Sequence, residues 1–208
     1  MRPAKPILRF LCGFVLAIGL LLAPWPGLKA GYAKALRTAG EAVFGHFGSK
    51  GIVVFRALDD TGDPLHDTIL YLGNRDRLKP GGQLDVVSVK FSSRYSGWLP
   101  TALMAALVLA TPLPWRRRWM ALGWGLLWVN VFVAFVLLIM ILQQYGESGA
   151  IGLYQWTGVP GKLLHAVHQI LVGYIGASFA VPVLIWIAVA FRRDDWVEIL
   201  GQEKEVMQ

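Results

Sequence analysis

Four long apolar runs separate the polar parts of this 208-residue chain and limit the folds that it can adopt. A bilayer core of roughly 30 Å requires about 20 helical residues, each adding about 1.5 Å. Backbone groups in lipid must be hydrogen-bonded within the segment, so runs near this length are expected to be helices. The four apolar runs therefore predict four transmembrane helices, at Ile7–Ala23, Trp98–Leu113, Trp119–Leu142 and Ile170–Phe191.

Composition favours a membrane setting over a soluble one. Hydrophobic residues make up 55% of the chain and charged residues 16%, whereas an ordinary soluble domain is about 25% charged. A formal net charge of +7 can indicate nucleic acid, but here many basic residues flank apolar runs. Membrane lipids are therefore the expected partners, and nucleic acid is not. The single cysteine, Cys12, excludes an intramolecular disulfide and a Cys-built zinc site.

Basic residues at the ends of the runs predict the orientation of the chain. Arg116–Arg118 fill the turn between the second and third runs, and Arg192 and Arg193 follow the fourth. Positive flanks stay in the cytoplasm, which predicts a multi-pass membrane protein with both termini cytoplasmic. A signal peptide remains an alternative for the first run, which has a basic start and then Pro24. The residues of that basic start are Arg2, Lys5 and Arg9.

The segment between the first two runs is long enough to fold by itself. Apolar residues recur at helical spacing over Tyr32–Phe47. Three runs rich in β-branched and aromatic residues follow, separated by turn sequence, at Gly51–Leu58, Thr68–Gly73 and Leu84–Phe91. We therefore expect a small antiparallel sheet of about three strands plus one helix on the outer side of the membrane.

The predicted fold is thus a membrane all-α bundle of four transmembrane helices with a small extracytoplasmic α+β domain. The second and third runs form a helical hairpin around the basic turn. The chain would divide into a first transmembrane helix (1–25), the extracytoplasmic domain (26–97), the transmembrane hairpin (98–142), an extracytoplasmic loop (143–169), the fourth transmembrane helix (170–191) and a cytoplasmic tail (192–208).

Small and polar residues within the runs indicate where helices pack. Asn130 lies near the middle of the third run, where a bare amide in lipid is costly, so it should face other helices. An interhelical hydrogen bond or a direct functional role would both fit. Small residues recurring every four positions allow close packing, either within the bundle or on a second membrane protein. The candidate contact residues are Asn130, Ala102, Ala106, Ala110, Gly173 and Ala177.

No pattern of residues predicts catalysis, a metal or a cofactor. His165 and His168 share a helical face but lack the neighbouring carboxylates of a typical ligand set. Cys12 has no histidine on its predicted side of the membrane. A membrane-embedded enzyme using these three residues, or a transporter subunit, remains an alternative. An acidic stretch could bind calcium but is more typical of a solvated turn: Asp59, Asp60, Asp63, His66 and Asp67.

Around the second run the chain reads Tyr95-Ser-Gly-Trp-Leu-Pro100, then an Ala/Leu stretch, then Ala110-Thr-Pro-Leu-Pro-Trp-Arg-Arg-Arg118. Across residues 95–135 the chain resembles the small membrane proteins associated with bacterial exosortases, of the exosortase H-associated type. The resemblance implies a non-catalytic accessory role in protein sorting or surface export, and a location in the bacterial inner membrane. Its partner would be an exosortase-like membrane enzyme or the exported substrates. The resemblance assigns no catalytic residue to this chain. The catalytic Cys and Arg of exosortases work toward the outer face, whereas Cys12 lies near the inner side and Arg94 has no thiol partner in sequence.

Overall fold

The computed structural model describes residues 4–58, 65–78, 84–147, 156, 158–173 and 176–191. Within these residues lie six α-helices: α1 (Ala4–Leu22), α2 (Leu28–Phe44), α3 (Leu99–Ala110), α4 (Trp115–Glu147), α5 (Val159–His168) and α6 (Gly176–Ala190). They also contain four strands: β1 (His46–Phe47), β2 (Gly51–Ala57), β3 (Thr68–Leu78) and β4 (Leu84–Phe91). Two short π-helical turns complete this part of the chain: π1 (Arg94–Trp98) and π2 (Gln169–Gly173).

These elements belong to two compact units. The sheet unit consists of Pro24–Leu99 and Phe132–Ser178. The helical unit consists of Met1–Ala23, Pro100–Val131 and Phe179–Gln208. The long helix α4 therefore contributes its first half to the helical unit and its second half to the sheet unit.

The sheet unit is built on an antiparallel sheet with the strand order β1-β2-β3-β4. Val53 pairs with Leu72, and Phe55 pairs with Leu70. Because side chains alternate between the two faces of a strand, these four residues share one face, and all four are buried. Helix α2 packs against this face along β2, so the core lies between one helix and one side of the sheet.

The positions of β2, β3 and β4 agree with the three predicted strands, although β3 extends to Leu78. The sheet has a fourth strand, β1, which the sequence analysis placed at the end of the helix. Gly48, at φ +65°, lies between β1 and β2. Phe47 pairs with Gly51, so these residues leave the helix and join the sheet. A two-residue strand is too short to produce a recognisable alternation.

Gly40 of α2 lies directly against the ring of Phe55, and we expect alanine there to be destabilising. A methyl group at Gly40 would lie 2.6 Å from Cζ of Phe55. That ring is itself buried, with an edge contact to Phe91. Gly40→Ala should cost about 1–3 kcal/mol through overpacking. The measurement is the free energy of unfolding in denaturant, with the protein held in mild detergent.

Gly31 provides the matched control on the same helix. No atom lies within 4 Å of a methyl group built at Gly31. Gly31→Ala should therefore stabilise α2 by about 0.5–1 kcal/mol, because alanine has the higher helix propensity. Equal effects of the two substitutions would contradict the packing described for α2.

The helical unit packs α1 closely against α3. A methyl group built at Gly13 would lie 3.7 Å from Cα of Ala110, which is ordinary van der Waals contact. Ala102 and Ala106 are almost completely buried. Small residues on these helices therefore bring their backbones close together, as small side chains do in membrane proteins.

A polar network links the ends of three helices in the helical unit. Nε1 of Trp186 donates to Oγ1 of Thr111 at 2.9 Å, and that hydroxyl donates to the carbonyl of Leu107 at 2.6 Å. Arg118 donates to the carbonyl of Thr111 at 3.3 Å. Arg117 donates to the carbonyl of Ala190 at 2.9 Å, at the end of α6. Arg117 and Arg118, in the first turn of α4, thus supply donors to carbonyl groups at helix C-termini, where cations are favourable.

The predicted bundle of four transmembrane helices is wrong. Among the described residues only α4, with 33 residues, is both long and apolar enough to span a membrane by itself. The 12 residues of α3 cover about 18 Å at about 1.5 Å each, and the 15 residues of α6 about 22 Å. The apolar part of α1 is also short, and α6 reaches spanning length only if joined to α5 across a bend.

The wrong prediction came from equating the length of each apolar run with the length of one continuous helix. The run at 98–113 has a π-turn at its start, and its α-helix stops at Ala110, before Pro112. In the run at 170–191, the described residues form π2 up to Gly173 and α6 from Gly176. Pro182 lies inside α6, which continues to Ala190.

Candidate functional site

A cavity of ≈ 100 Å³ lies inside the sheet unit, beside the second half of α4. Helix α4 lines it with Phe132, Val136 and Met140. Residues four apart lie on the same helical face, so these side chains form one continuous apolar wall. Leu137, which is buried, extends the same wall.

The π1 turn forms a second wall of the cavity. It contributes Tyr95 and Ser96, and Leu99 follows at the start of α3. The backbone N–H of Leu99 donates to the carbonyl of Arg94, five residues earlier, which defines the π-turn. Gly97 lies against the Tyr32 ring of α2, and a larger side chain there would overlap it.

Asp67 fixes the start of π1. Its carboxylate accepts hydrogen bonds from the backbone N–H of Ser93 at 2.9 Å and from the Ser93 hydroxyl at 2.6 Å. The buried hydroxyl of Thr68 also donates to it at 3.0 Å. Asp67 therefore caps the helical segment that follows the sheet, although it lies 26 residues before that segment in the chain.

The π2 turn and α6 complete the cavity. Leu171 and Val172 come from π2, and Ser178 comes from α6. Both π-helical turns of the described chain thus border the same cavity. Such turns are rare and occur frequently at functional sites, because they redirect side chains and backbone groups. The walls are mainly apolar, with three hydroxyl-bearing residues: Tyr95, Ser96 and Ser178.

Tyr145 holds the end of α4 against the sheet. The side chain is fully buried, and its hydroxyl lies 2.9 Å from the carbonyl of Ile52 and 3.3 Å from that of Gly73. Its ring stacks on Phe47, with 5.5 Å between the centroids. A methyl group at Gly51 would overlap the backbone carbonyl of Phe47 and would also lie 3.2 Å from the Tyr145 hydroxyl, so the site requires glycine. No sequence pattern predicted this contact; its signals are Gly51 at the start of β2 and Gly73 within β3, because glycine in a strand often marks a close approach of another group.

A polar cluster lies near Tyr145, at the C-terminal end of α4. Gln143 donates from Nε2 to the carboxylate of Glu147 and lies 3.2 Å from Nδ1 of His165. The same His165 nitrogen is 3.7 Å from Glu147, and both side chains are more than half exposed. Burial lowers the pKa of His168, the charge of Glu147 opposes this, and His165 adds to it.

The cluster offers no metal site. No group of three or more His, Cys, Asp or Glu residues within the described chain could hold a metal ion. His165 and His168 both lie on α5, where the sequence placed them. Of the acidic stretch, Asp67 is a hydrogen-bond acceptor, as described above. Asp59, Asp60 and Asp63 lie outside the described residues, as does the tail at 192–208.

The remaining sequence-predicted contact residues are distributed over both units. Asn130 is exposed on α4, and its amide donates to the carbonyl of Leu126 of the same helix at 2.7 Å. Its hydrogen bond is therefore intrahelical. Gly173 is the last residue of π2, and Ala177 is half-buried on α6. Cys12 is exposed on α1.

The described residues define a protein with a four-stranded sheet, one covering helix, and a long apolar helix tied to the sheet by a buried tyrosine. Beside that long helix lies a mainly apolar cavity bordered by two π-turns. No protein-family model, curated protein or solved structure matches the chain.

Proposed function

We propose that this chain is a non-catalytic integral membrane accessory protein of a bacterial protein-sorting or surface-export system of the exosortase type. The observation that carries the proposal is the surface of α4. Trp124 and Trp128 are 58% and 51% exposed on this long apolar helix, and Leu127 and Val131 are also exposed. Large apolar side chains in such numbers on one helix are favourable in lipid and unfavourable in water.

The two ends of α4 support a membrane orientation. Arg116–Arg118 lie in its first turn, and positive flanks favour the cytoplasmic side. The helix is about 50 Å long at about 1.5 Å per residue, well beyond a hydrocarbon core of roughly 30 Å. The last turns, with Gln143 and Tyr145, then extend out of the membrane. On this proposal they carry the sheet on the outer side of the bacterial inner membrane, and the chain crosses the membrane a second time through π1 and α3. That stretch is shorter than the hydrocarbon core, which a locally thinned bilayer accommodates.

The link to surface export rests on the resemblance over residues 95–135. The residues that carry it have definite structural roles in this chain. Tyr95 and Ser96 line the cavity, Gly97 packs on Tyr32, and Arg117 and Arg118 supply donors to helix ends. An accessory protein would use the sheet unit to contact an exosortase-like enzyme or its exported substrates, with membrane lipids around α4. The proposal assigns no catalytic residue and no cofactor.

Cysteine labelling in bacterial spheroplasts tests the membrane part of the proposal. In a Cys12→Ser background, Ser88→Cys places a thiol on the exposed face of β4. A membrane-impermeant maleimide should label it in intact spheroplasts. Pro112→Cys, in the exposed turn before Arg116, should be labelled only after permeabilisation. The chain should also stay in the membrane fraction after an alkaline wash. Release by the wash, or the reverse labelling pattern, would contradict the proposal.

Co-purification tests the accessory part. The intact chain, extracted in mild detergent from a host that encodes an exosortase-like enzyme, should recover that enzyme or a protein that it sorts. An unrelated single-span protein of similar expression level serves as the control. Purification of the chain alone in several mild detergents would argue against an accessory role.

A further inference from the structure

We propose that the cavity beside α4 binds one bilayer glycerolipid, with an acyl chain of the outer leaflet lying against Phe132, Val136 and Met140. This inference rests on the proposed function, because it requires α4 to cross a bilayer. It goes further by assigning a ligand class to a specific cavity.

The depth of the cavity along α4 identifies the acyl chain as its occupant. The apolar run of α4 ends at Gln143, which marks the polar boundary. At about 1.5 Å per residue, Met140 lies about 4.5 Å and Phe132 about 16 Å along the helix from Gln143. One leaflet contributes about half of a hydrocarbon core of roughly 30 Å. These residues therefore cover the depth of one leaflet, where acyl chains are the surrounding solvent.

The size and lining of the cavity fit a segment of one chain. Apolar cavities of about 150 Å³ stay dry in proteins and take up small apolar molecules. The volume here, ≈ 100 Å³, is of the same order. Water would gain few hydrogen bonds along the wall formed by α4, whereas methylene groups gain dispersion contacts there.

The hydroxyl-bearing residues favour a lipid with polar oxygens near the chain. Tyr95, Ser96 and Ser178 come from π1 and α6, the elements that face α4 across the cavity. A hydroxyl can donate to an ester carbonyl, which is the first polar group above an acyl chain. A glycerolipid provides the apolar chain and the ester oxygens in one molecule, so it matches both kinds of wall.

Native mass spectrometry of the full chain in detergent, titrated with phosphatidylcholine, tests the proposal. The wild-type chain should retain one phosphatidylcholine molecule. Val136→Phe fills the cavity and should weaken retention about tenfold or more. Val131→Phe is the matched control, since Val131 is exposed on the same helix outside the cavity lining. It should leave retention unchanged.

A second variant covers the case in which Val136→Phe does not fold. Tyr95→Phe combined with Ser178→Ala removes two donors with little change in volume. Each lost hydrogen bond should weaken retention roughly three- to tenfold. Equal retention by wild-type, Val131→Phe and the folded cavity variants would overturn the lipid site. The proposed function would still stand if the spheroplast labelling pattern holds, so the two proposals fail separately.

Discussion

Tyr145→Ala is expected to destabilise the sheet unit by about 3–5 kcal/mol, as is typical when a large buried aromatic side chain is truncated. Three contributions are lost together. The ring leaves its stack on Phe47, the hydroxyl no longer serves the carbonyls of Ile52 and Gly73, and a cavity opens beside Gly51. The measurement is the free energy of unfolding by denaturant in mild detergent.

Two further variants separate these contributions. Tyr145→Phe keeps the ring and removes only the hydroxyl, which should cost about 1–3 kcal/mol for a buried hydrogen bond. Tyr71→Ala is the control for losing a tyrosine from the same unit, because Tyr71 is partly exposed on β3. It should have a much smaller effect than Tyr145→Ala. Equal losses at positions 71 and 145 would show that Tyr145 does not anchor α4 to the sheet.

Asp67→Ala has the second largest expected effect, about 2–4 kcal/mol. The carboxylate accepts from the backbone N–H and hydroxyl of Ser93 and from the hydroxyl of Thr68. Hydrogen bonds to a charged acceptor contribute more than neutral ones, and the buried Thr68 hydroxyl would lose an acceptor. The Thr68 hydroxyl also accepts a hydrogen bond from Arg37 of α2 at 3.4 Å, so losing the carboxylate would also disturb this contact between β3 and α2.

Asp76→Ala is the matched control for Asp67. Asp76 forms an exposed ion pair with Lys50, and both side chains are more than half accessible to solvent. Exposed ion pairs contribute little to stability. The variant should therefore leave the unfolding midpoint almost unchanged. If Asp67→Ala were as mild as Asp76→Ala, the carboxylate would not be the cap that fixes π1.

Local periodicity predicted the sheet unit well, because its elements follow from short-range patterns. Strand β2 alternates between buried and half-buried residues over most of its length, and β4 alternates between exposed and half-buried ones. Helix α2 repeats apolar residues every three or four positions. The end of α2 was misplaced, since only pairing with Gly51 moves Phe47 into the sheet. Tertiary context decided that boundary, and a single stretch of sequence does not contain it.

The length of an apolar run proved to be a poor guide to the length of a helix. Hydropathy is averaged over many residues, so it does not reveal the π1 turn or the end of α3 before Pro112. The cavity was equally hidden, because it joins residues near positions 95, 136 and 172 of the chain. Asn130 was expected to bond across helices because an isolated amide is costly in lipid. Its bond to Leu126 meets that requirement within one helix.

The donors contributed by Arg117 and Arg118 couple the direction of insertion to the completion of the fold. On the proposed orientation, the same guanidinium groups that keep the turn in the cytoplasm also close the open ends of α3 and α6. Lysine preserves the charge but not the planar, multi-donor head. Biogenesis and tertiary packing therefore depend on one short stretch of residues, so a substitution there would disturb both at once.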